Sequence, residues 1–209
     1  MLSIAIQAGG GSRRTGSDKA LLPLAGKPLI QHVLMHIDGL GDDILITTNR
    51  PQNYTFLGVR LVSDPVPGLG TLNGLHTALN AAHGAHVLVL ACDMPFVSRP
   101  LLEHMINLAP QADVIVPHQS GEFEPLHAIY KVQTCLPAIE AALAAGEKRL
   151  ISFFPKVDVL SVKGSDLARL DPRGLSFYNI NTLEDLEQAE RILSESEMGG
   201  QAFRCRGGS

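Results

Sequence analysis

Short apolar segments alternate along this sequence with longer segments whose apolar residues recur every three or four positions. The short segments predict buried strands, and the longer ones predict helices that pack one face against a sheet. The most apolar segment, His86–Ala91, is typical of a strand buried on both faces of a parallel sheet. The predicted strands cover residues 3–7, 43–48, 59–63, 86–91, 114–116, 126–130 and 157–162, and the predicted helices cover 28–37, 72–82, 100–108, 134–145 and 183–195.

This alternation of strands and helices favours parallel strands joined by right-handed crossovers. We therefore expect an α/β protein with a Rossmann-like, doubly wound, mostly parallel sheet and helices on both faces. The 209 residues are enough for one well-packed domain and too few for two of ordinary size. We expect that domain to cover residues 1–193, and residues 194–209 to form a flexible tail because they show no periodicity.

Composition narrows the choice of partners and compartment. The net charge of −4 gives no bulk attraction for nucleic acid or anionic lipid, and the apolar segments are too short to span a membrane. The first residues carry no basic leader, so we expect no signal peptide. The three cysteines are far apart in sequence and form no C-x-x-C motif, which favours a cytoplasmic protein without disulfides or a zinc site.

A glycine-rich segment follows the first predicted strand and contains Gly9, Gly10 and Gly11. Adjacent glycines allow backbone N–H groups to converge on an anion, and Arg13, Arg14 and Lys19 add positive charge close by. The carboxyl end of a strand is also the usual ligand position in α/β sheets. We interpret the segment as a polyphosphate cradle; the alternative is a flexible loop with solvated arginines.

Two common phosphate-binding motifs do not match this segment. A Walker loop needs Lys-Ser or Lys-Thr after its last glycine, where this chain has Ser17-Asp18. A dinucleotide fingerprint needs a third glycine at the position of Arg14. The segment therefore indicates a different class of nucleotide site.

A single carboxylate, Asp93, follows the most apolar predicted strand in the turn Cys92-Asp93-Met94-Pro95. A buried carboxylate is costly unless it is paired, and Mg²⁺ that bridges phosphate oxygens is a suitable partner. The alternative is that Asp93 caps the next helix, but Ser98 is better placed for that cap. We expect Asp93 to be a magnesium ligand.

The glycine-rich segment, continued by Asp18-Lys19-Ala20 and by Leu24-Ala-Gly-Lys-Pro-Leu29, resembles the signature of the sugar-nucleotide pyrophosphorylase-like nucleotidyltransferases. Within this group the chain is most similar to the molybdenum cofactor guanylyltransferase family, over residues 3–191. The resemblance implies a nucleotide-diphospho-sugar transferase fold, Mg²⁺ as cofactor, and GTP and the molybdopterin cofactor as substrates. It also implies possible partners that insert molybdenum or deliver the product to apoenzymes.

The resemblance further implies roles for individual residues. Arg13, Lys19 and Asp93 would be catalytic, Arg13 and Lys19 by neutralising the triphosphate and the departing pyrophosphate. Arg149 would meet the acceptor, although a basic helix end is also what compensation of the helix dipole produces. The implied nucleotide-binding residues are Ala8, Gly9, Gly10, Lys19, Asn49, Asp64, Leu72, Gly74 and Asp93. Without the resemblance, Asn49 and Asp64 would be interpreted as ordinary turn residues.

Asn179 and Asn181 are expected at alternate positions of a strand, and therefore on one face of it, as acceptor-binding residues. They match the Asn-x-Asn-Thr of the guanylyl branch, where cytidylyl relatives tend to be acidic. The following Thr182 and Asp185 also fit a helix-opening capping box. The chain departs from the family pattern at four positions, namely Gln7, Thr15, Thr71 and Asn73.

The sequence therefore predicts transfer of GMP from GTP to molybdopterin-bound molybdenum cofactor, with release of pyrophosphate. Three alternatives remain open: a cytidylyltransferase acting on the same cofactor, a sugar-phosphate nucleotidyltransferase, and a non-catalytic nucleotide-binding subunit. His32 and His36 have a spacing that zinc proteases use, but the intervening glutamate and a third ligand are missing. We expect them to be ordinary helix residues.

Overall fold

A computed structural model describes residues 1–8, 18–65 and 70–204, with side chains as far as residue 195. The strands are β1 (Leu2–Gln7), β2 (Pro23–Leu24), β3 (Lys27–Pro28), β4 (Asp43–Thr47), β5 (Arg60–Val62), β6 (His86–Ala91), β7 (Val114–Gln119), β8 (Glu122–Phe123), β9 (His127–Lys131) and β10 (Val159–Val162). The helices are α1 (Leu29–Ile37), α2 (Thr71–Ala81), α3 (Arg99–Leu108), α4 (Val132–Ala144), α5 (Gly164–Leu170) and α6 (Leu183–Arg204).

The described strands form an eight-stranded sheet in the order β10-β7-β9-β6-β1-β4-β5, with β8 paired to β7. Parallel pairs join β1 to β4 and β6, β4 to β5, and β7 to β10. Strand β9 is antiparallel to both of its neighbours, β6 and β7. The chain thus has the mostly parallel α/β sheet that the sequence predicted.

Helices cover both faces of the sheet because alternate residues of each central strand point to opposite sides. On one face Ile4 and Ile6 of β1 pack into a core that includes residues of α1, α3 and α5. On the other face Ala5 belongs to a second core that includes residues of α2 and α4. Strands buried on both faces are nearly continuous apolar sequences, which is why β1 and β6 were recognisable.

Several elements differ from the sequence prediction. The hairpin of β2 and β3, the strand β8 and the helix α5 were missed because each is at most seven residues long. The final helix, α6, continues to Arg204 rather than ending near residue 195. The flexibility of residues 194–209 therefore stays a prediction, now for a segment that is largely helical. No helix among those described is both long and apolar enough to cross a bilayer.

Candidate active site

The carboxyl ends of β1, β4, β5 and β6 meet at one edge of the sheet. Backbone hydrogen bonds extend past the strands there: Cys92 N donates to Gln7 O at 3.3 Å, and Ala8 N donates to Thr47 O at 2.9 Å. Thr48 N donates in turn to Val62 O at 2.8 Å. These bonds bring the start of the glycine-rich segment next to the turn that carries Asp93.

Lys19 reaches this edge of the sheet from the end of the glycine-rich segment. Its Nζ donates a hydrogen bond of 2.6 Å to Asn181 Oδ1, across 162 positions of sequence. A bond between a cation and an amide oxygen is charge-assisted, and here it is exposed to solvent. The catalytic candidate Lys19 and the acceptor-binding candidate Asn181 are therefore neighbours.

Asp93 lies within the electrostatic reach of Lys19. Burial raises the pKa of the Asp93 carboxyl above its ordinary value, while a backbone hydrogen bond and the Lys19 ammonium offset part of that rise. The helix cap at α3 is provided by Ser98, whose Oγ accepts from Leu101 N, so Asp93 is not used for that purpose. A partly desolvated carboxylate beside one lysine is suited to share a cation with substrate phosphates.

Asn181 is held by its own backbone environment. The Asp185 carboxylate accepts hydrogen bonds of 2.8 Å from the N–H groups of Asn181 and Thr182. Asp185 N donates to Thr182 Oγ1 at 3.1 Å, which completes the expected capping box at the start of α6. Just before it, Ile180 N donates to Asp93 O at 3.0 Å. The segment is thereby tied to the turn that carries Asp93.

The expectation that Asn179 and Asn181 lie on one strand is wrong. Residues 178–181 have no regular secondary structure: Tyr178 N bonds to Leu175 O, Ile180 N to Asp93 O and Asn181 N to the Asp185 carboxylate, so these groups do not pair with a neighbouring strand. Both side chains are exposed, and that of Asn181 is engaged with Lys19. Alternation along a strand therefore cannot be used to assign them a common role.

Asn49 and Asp64 pair with each other at the ends of β4 and β5. Asn49 Nδ2 donates to Asp64 Oδ2, and Asp64 N donates to Asn49 Oδ1, each at 3.2 Å. The other carboxylate oxygen, Asp64 Oδ1, is buried without a hydrogen-bond partner among the described residues. A desolvated carboxylate oxygen is an acceptor for a ligand's N–H groups.

The first turn of α2 forms another part of this edge. Leu72 is fully buried in the core, so only its backbone faces the position where a ligand could lie. Gly74 packs against the Gln7 side chain: a Cβ at Gly74 would be 3.3 Å from Gln7 Oε1. A larger residue here would be in tight contact with the end of the Gln7 side chain, which would have to shift by a few tenths of an ångström.

The remaining acceptor candidate, Arg149, is exposed in the loop after α4. That loop approaches the start of α2, where a Cβ at Gly70 would lie 3.9 Å from Lys148 O. Ala8 is buried at the end of β1. Three candidates of the glycine-rich segment, Gly9, Gly10 and Arg13, lie outside the described residues.

The side chains available as metal ligands fit an ion that the protein shares with its substrate better than an ion held by the protein alone. No group of three or more His, Cys, Asp or Glu side chains converges anywhere in the described part of the chain. Mg²⁺ in phosphoryl-transfer sites uses one or two carboxylates and completes its shell with phosphates and water. Asp93 can provide one such carboxylate. His32 instead bonds the backbone oxygen of Leu24 at 2.8 Å, as a structural residue.

Comparisons with known proteins assign the family. The model for the "MobA-like NTP transferase domain" matches residues 4–159, which is most of the chain. The chain belongs to this family. It is therefore a nucleotidyltransferase, as the glycine-rich segment and the Asp93 turn predicted.

Curated relatives agree with this assignment over nearly the whole length. A probable molybdenum cofactor guanylyltransferase of Pelotomaculum thermopropionicum is 36% identical over 198 residues, covering 95% of this chain and 96% of the relative. A molybdenum cofactor guanylyltransferase of Desulfosudis oleivorans is 35% identical and covers 90% of this chain and 94% of its own. The resemblance noted from the sequence is confirmed.

Solved structures agree with the fold. Molybdopterin-guanine dinucleotide biosynthesis protein A from Archaeoglobus fulgidus superposes with a TM-score of 0.78 at 29% identity, covering 92% of this chain and 99% of that one. 2-C-methyl-D-erythritol 4-phosphate cytidylyltransferase from Thermus thermophilus superposes with a TM-score of 0.66 at 19% identity and covers 91% of this chain and 98% of its own. The second likeness concerns the fold alone.

Proposed function

We propose that this MobA-like NTP transferase moves GMP from GTP to the terminal phosphate of the molybdopterin cofactor and releases pyrophosphate. The observation that carries the proposal is the meeting of Lys19, Asn181 and Asp93 at the carboxyl edge of the sheet, beside the glycine-rich segment. The guanylyltransferases that match nearly the whole chain support guanine over other bases.

The reaction is an in-line displacement at the α-phosphorus of GTP. A phosphate oxygen of the acceptor forms the new bond to this phosphorus, and the bond to the β-phosphate oxygen breaks, so that pyrophosphate leaves with the electron pair. The acceptor phosphate is already ionised, so the step needs no general base. Catalysis of this kind depends mainly on positioning and on neutralising charge.

The basic side chains neutralise the charge that develops on pyrophosphate. Lys19, whose Nζ bonds Asn181, would neutralise the β- and γ-phosphates as they leave, and Arg13 would add a second positive charge. Asp93 would hold Mg²⁺, which when bound supplies Lewis-acid polarisation of the phosphates. Asn49 and Asp64 would contact the base and ribose, and Arg149 and Asn179 would contact the acceptor.

A ligand panel tests the nucleotide assignment directly. GTP with Mg²⁺ should raise the Tm more than CTP, ATP or UTP at equal concentration, because only a bound ligand shifts the unfolding equilibrium. A larger shift with CTP would instead support the cytidylyl alternative, and no shift with any nucleotide would remove the proposal.

An activity assay tests the enzyme against a non-catalytic binding subunit. Asp93→Ala should abolish the formation of pyrophosphate and of the guanine dinucleotide, with the loss being at least about a hundredfold. Arg99→Ala, on the outer surface of α3, is the matched control and should keep wild-type activity. Substantial turnover by the Asp93 variant at saturating Mg²⁺ would contradict the assignment of the metal ligand. Cys92 and Cys135, the cysteines within the described residues, are free thiols, which is compatible with the cytoplasmic location that we propose.

A further inference from the structure

The side chain of Gln7 lies at the carboxyl end of β1, at a position where the family resemblance predicts an aliphatic residue. It is only 6% exposed, and its Nε2 finds no hydrogen-bond partner within the described residues. An amide nitrogen that is removed from water and unpaired costs stability, on the order of a lost hydrogen bond. A polar side chain in place of a better-packing aliphatic one therefore needs a reason.

The surroundings of Gln7 are those of a ligand site. Its amide packs against Gly74 in the first turn of α2, with Oε1 3.3 Å and Nε2 3.6 Å from the position of a Gly74 Cβ. Leu72, two residues earlier in α2, has its side chain fully buried in the core. The amide thus lies against the first turn of α2, at the end of the strand that leads into the glycine-rich segment.

A second buried polar atom without a partner belongs to the same sheet edge. Gln7 ends β1, and the pair formed by Asn49 and Asp64 follows β4 and β5, the next two strands in the sheet order. Gln7 Nε2 is a donor and Asp64 Oδ1 is an acceptor, and neither has a hydrogen-bond partner among the described residues. Guanine carries both an O6 acceptor and N–H donors, so it can satisfy groups of both kinds.

We propose that Gln7 is a specificity-determining residue whose Nε2 donates a hydrogen bond to the 6-oxo group of the bound guanine. Because this donor is already desolvated, a carbonyl oxygen that reaches it gains a hydrogen bond without the usual cost of removing the donor from water. Adenine has an amino group at that position and leaves the donor unpaired. The proposal rests on the proposed guanylyl transfer and names a determinant of its base specificity.

Two nucleotide analogues separate this contact from the others. In 6-thio-GTP a sulfur, a weaker acceptor, replaces O6, whereas ITP keeps O6 and lacks only the 2-amino group. Wild-type protein should bind 6-thio-GTP about tenfold more weakly than GTP, as expected for the loss of one buried hydrogen bond. The Gln7→Leu variant should bind GTP about tenfold more weakly than wild type does, and it should bind 6-thio-GTP nearly as well as GTP. The ratio of its affinities for ITP and GTP should stay as in wild type.

Two further variants keep the proposal falsifiable. Gln7→Glu keeps the shape but replaces the donor by an acceptor, so it should bind GTP more weakly than Gln7→Leu does. Thr77→Val removes another buried, unpaired polar atom one turn further along α2 and should leave all three nucleotide affinities unchanged. If only Gln7→Leu changes the nucleotide affinities, the change comes from a lost contact with the base and not from removing any buried polar atom near α2.

The outcomes distinguish this inference from the proposed function. If wild-type protein binds no GTP in the presence of Mg²⁺, the proposed function fails. If wild-type protein binds GTP, two results with Gln7→Leu overturn only the role of Gln7. One is an unchanged ratio of the affinities for 6-thio-GTP and GTP, and the other is an equal loss of affinity for GTP, ITP and 6-thio-GTP.

Discussion

At the scale of single residues, the contact between Lys19 and Asn181 changes the interpretation of the Asn-x-Asn motif. Sequence pattern suggested two acceptor-binding asparagines on one strand face. In the structure Asn181 accepts a hydrogen bond of 2.6 Å from Lys19 and is itself held by Asp185, whereas Asn179 is exposed. Asn181 is therefore placed to position the lysine.

A double-mutant cycle measures this coupling. Lys19→Ala and Asn181→Ala should each weaken the binding of GTP by about tenfold, because a charge-assisted contact or the cation itself is lost. The double variant should be little worse than Lys19→Ala alone, while Asn179→Ala serves as the control. Affinities follow from titration with a fluorescent GTP analogue. Fully additive losses would mean that Asn181 acts independently of Lys19.

Asp93 is expected to cost stability as well as support activity. Burial raises the pKa of its carboxyl, so the ionised form destabilises the folded state at pH values above that raised pKa. Asp93→Asn should therefore increase the Tm at pH 7 without Mg²⁺, on the order of a few degrees. The gain should shrink as the pH falls and Asp93 becomes protonated. Thermal unfolding at pH 7 and pH 4.5 checks this, and a lower Tm of the variant at pH 7 would contradict it.

At the scale of elements, tight turns fix how the central strands pair. Gly84 precedes β6, and a Cβ there would lie 2.7 Å from Ser3 N and 2.9 Å from Met1 O. Ser3 N is backbone of β1, which pairs with β6, and Met1 O is the backbone oxygen just before that strand, so neither can move without disturbing the register. This glycine therefore contributes to the alignment of β1 with β6, whose carboxyl ends carry the site.

Gly84→Ala should lower the free energy of unfolding by about 1–3 kcal/mol, the usual cost of overpacking. Gly41→Ala is a matched comparison because the two atoms nearest to its Cβ, at 2.8 and 2.9 Å, are Cγ1 and Cδ1 of the Ile4 side chain, and the nearest backbone atom, Leu2 O, is farther away at 3.2 Å. It should cost less than Gly84→Ala. Urea unfolding of both variants measures the difference, and an equal or reversed order would argue against a backbone clash at Gly84.

Elements with a clear apolar pattern were predictable, and the two-residue strands and the short helix α5 were not. Strand β6 was predicted with its observed bounds, and α3 within one residue, because apolar periodicity and the Ser98 cap are strong local signals. The reversed direction of β9 has no local signal, since a parallel and an antiparallel strand share the same apolar pattern. The irregular path of residues 178–181 also has no local signal. Ile180 bonds to Asp93, which is distant in sequence, and Asn181 bonds to Asp185 in the next helix.

The candidate site was predictable in the same uneven way. Lys19 stood out as a basic residue of the glycine-rich segment, and Asp93 because a carboxylate at the end of an apolar strand is conspicuous. The pairing of Asn49 with Asp64 depends on strand order, which sequence alone does not give. Gln7 was noticed only as a departure from the family pattern; its unpaired amide became visible once Gly74 was placed against it.

At the scale of the whole molecule, acid stability depends on His127 in β9. This side chain is fully buried, neither ring nitrogen has a hydrogen-bond partner among the described residues, and its ring contacts Phe177 edge-on at 5.1 Å. Burial lowers the pKa of His127 to about 4, against a smaller opposing effect of Asp171. The folded protein therefore holds a neutral histidine at pH values where the unfolded chain binds a proton.

The free energy of unfolding should fall as the pH drops from about 6.5 to about 4, because over this range the unfolded state binds more protons. His127→Phe removes the titrating group and keeps a ring against Phe177, so its curve should be flatter over the same range. The difference between the curves should grow to the order of a few kcal/mol. Urea unfolding across this pH range measures it, and parallel curves for both proteins would exclude His127 as the cause.

The reversed direction of β9 has a consequence for how this scaffold can vary. Since β9 runs opposite to β6, the segment that enters it, residues 124–126, lies at the same sheet edge as the carboxyl ends of β1 and β6. The segment is also bonded to that edge: Ala91 N donates to Leu126 O at 2.9 Å, and the Tyr130 hydroxyl donates to Pro125 O at 2.6 Å. A change in these residues would therefore be transmitted to the end of β6, two residues before Asp93, so this entry to β9 should tolerate less variation than an exposed loop does.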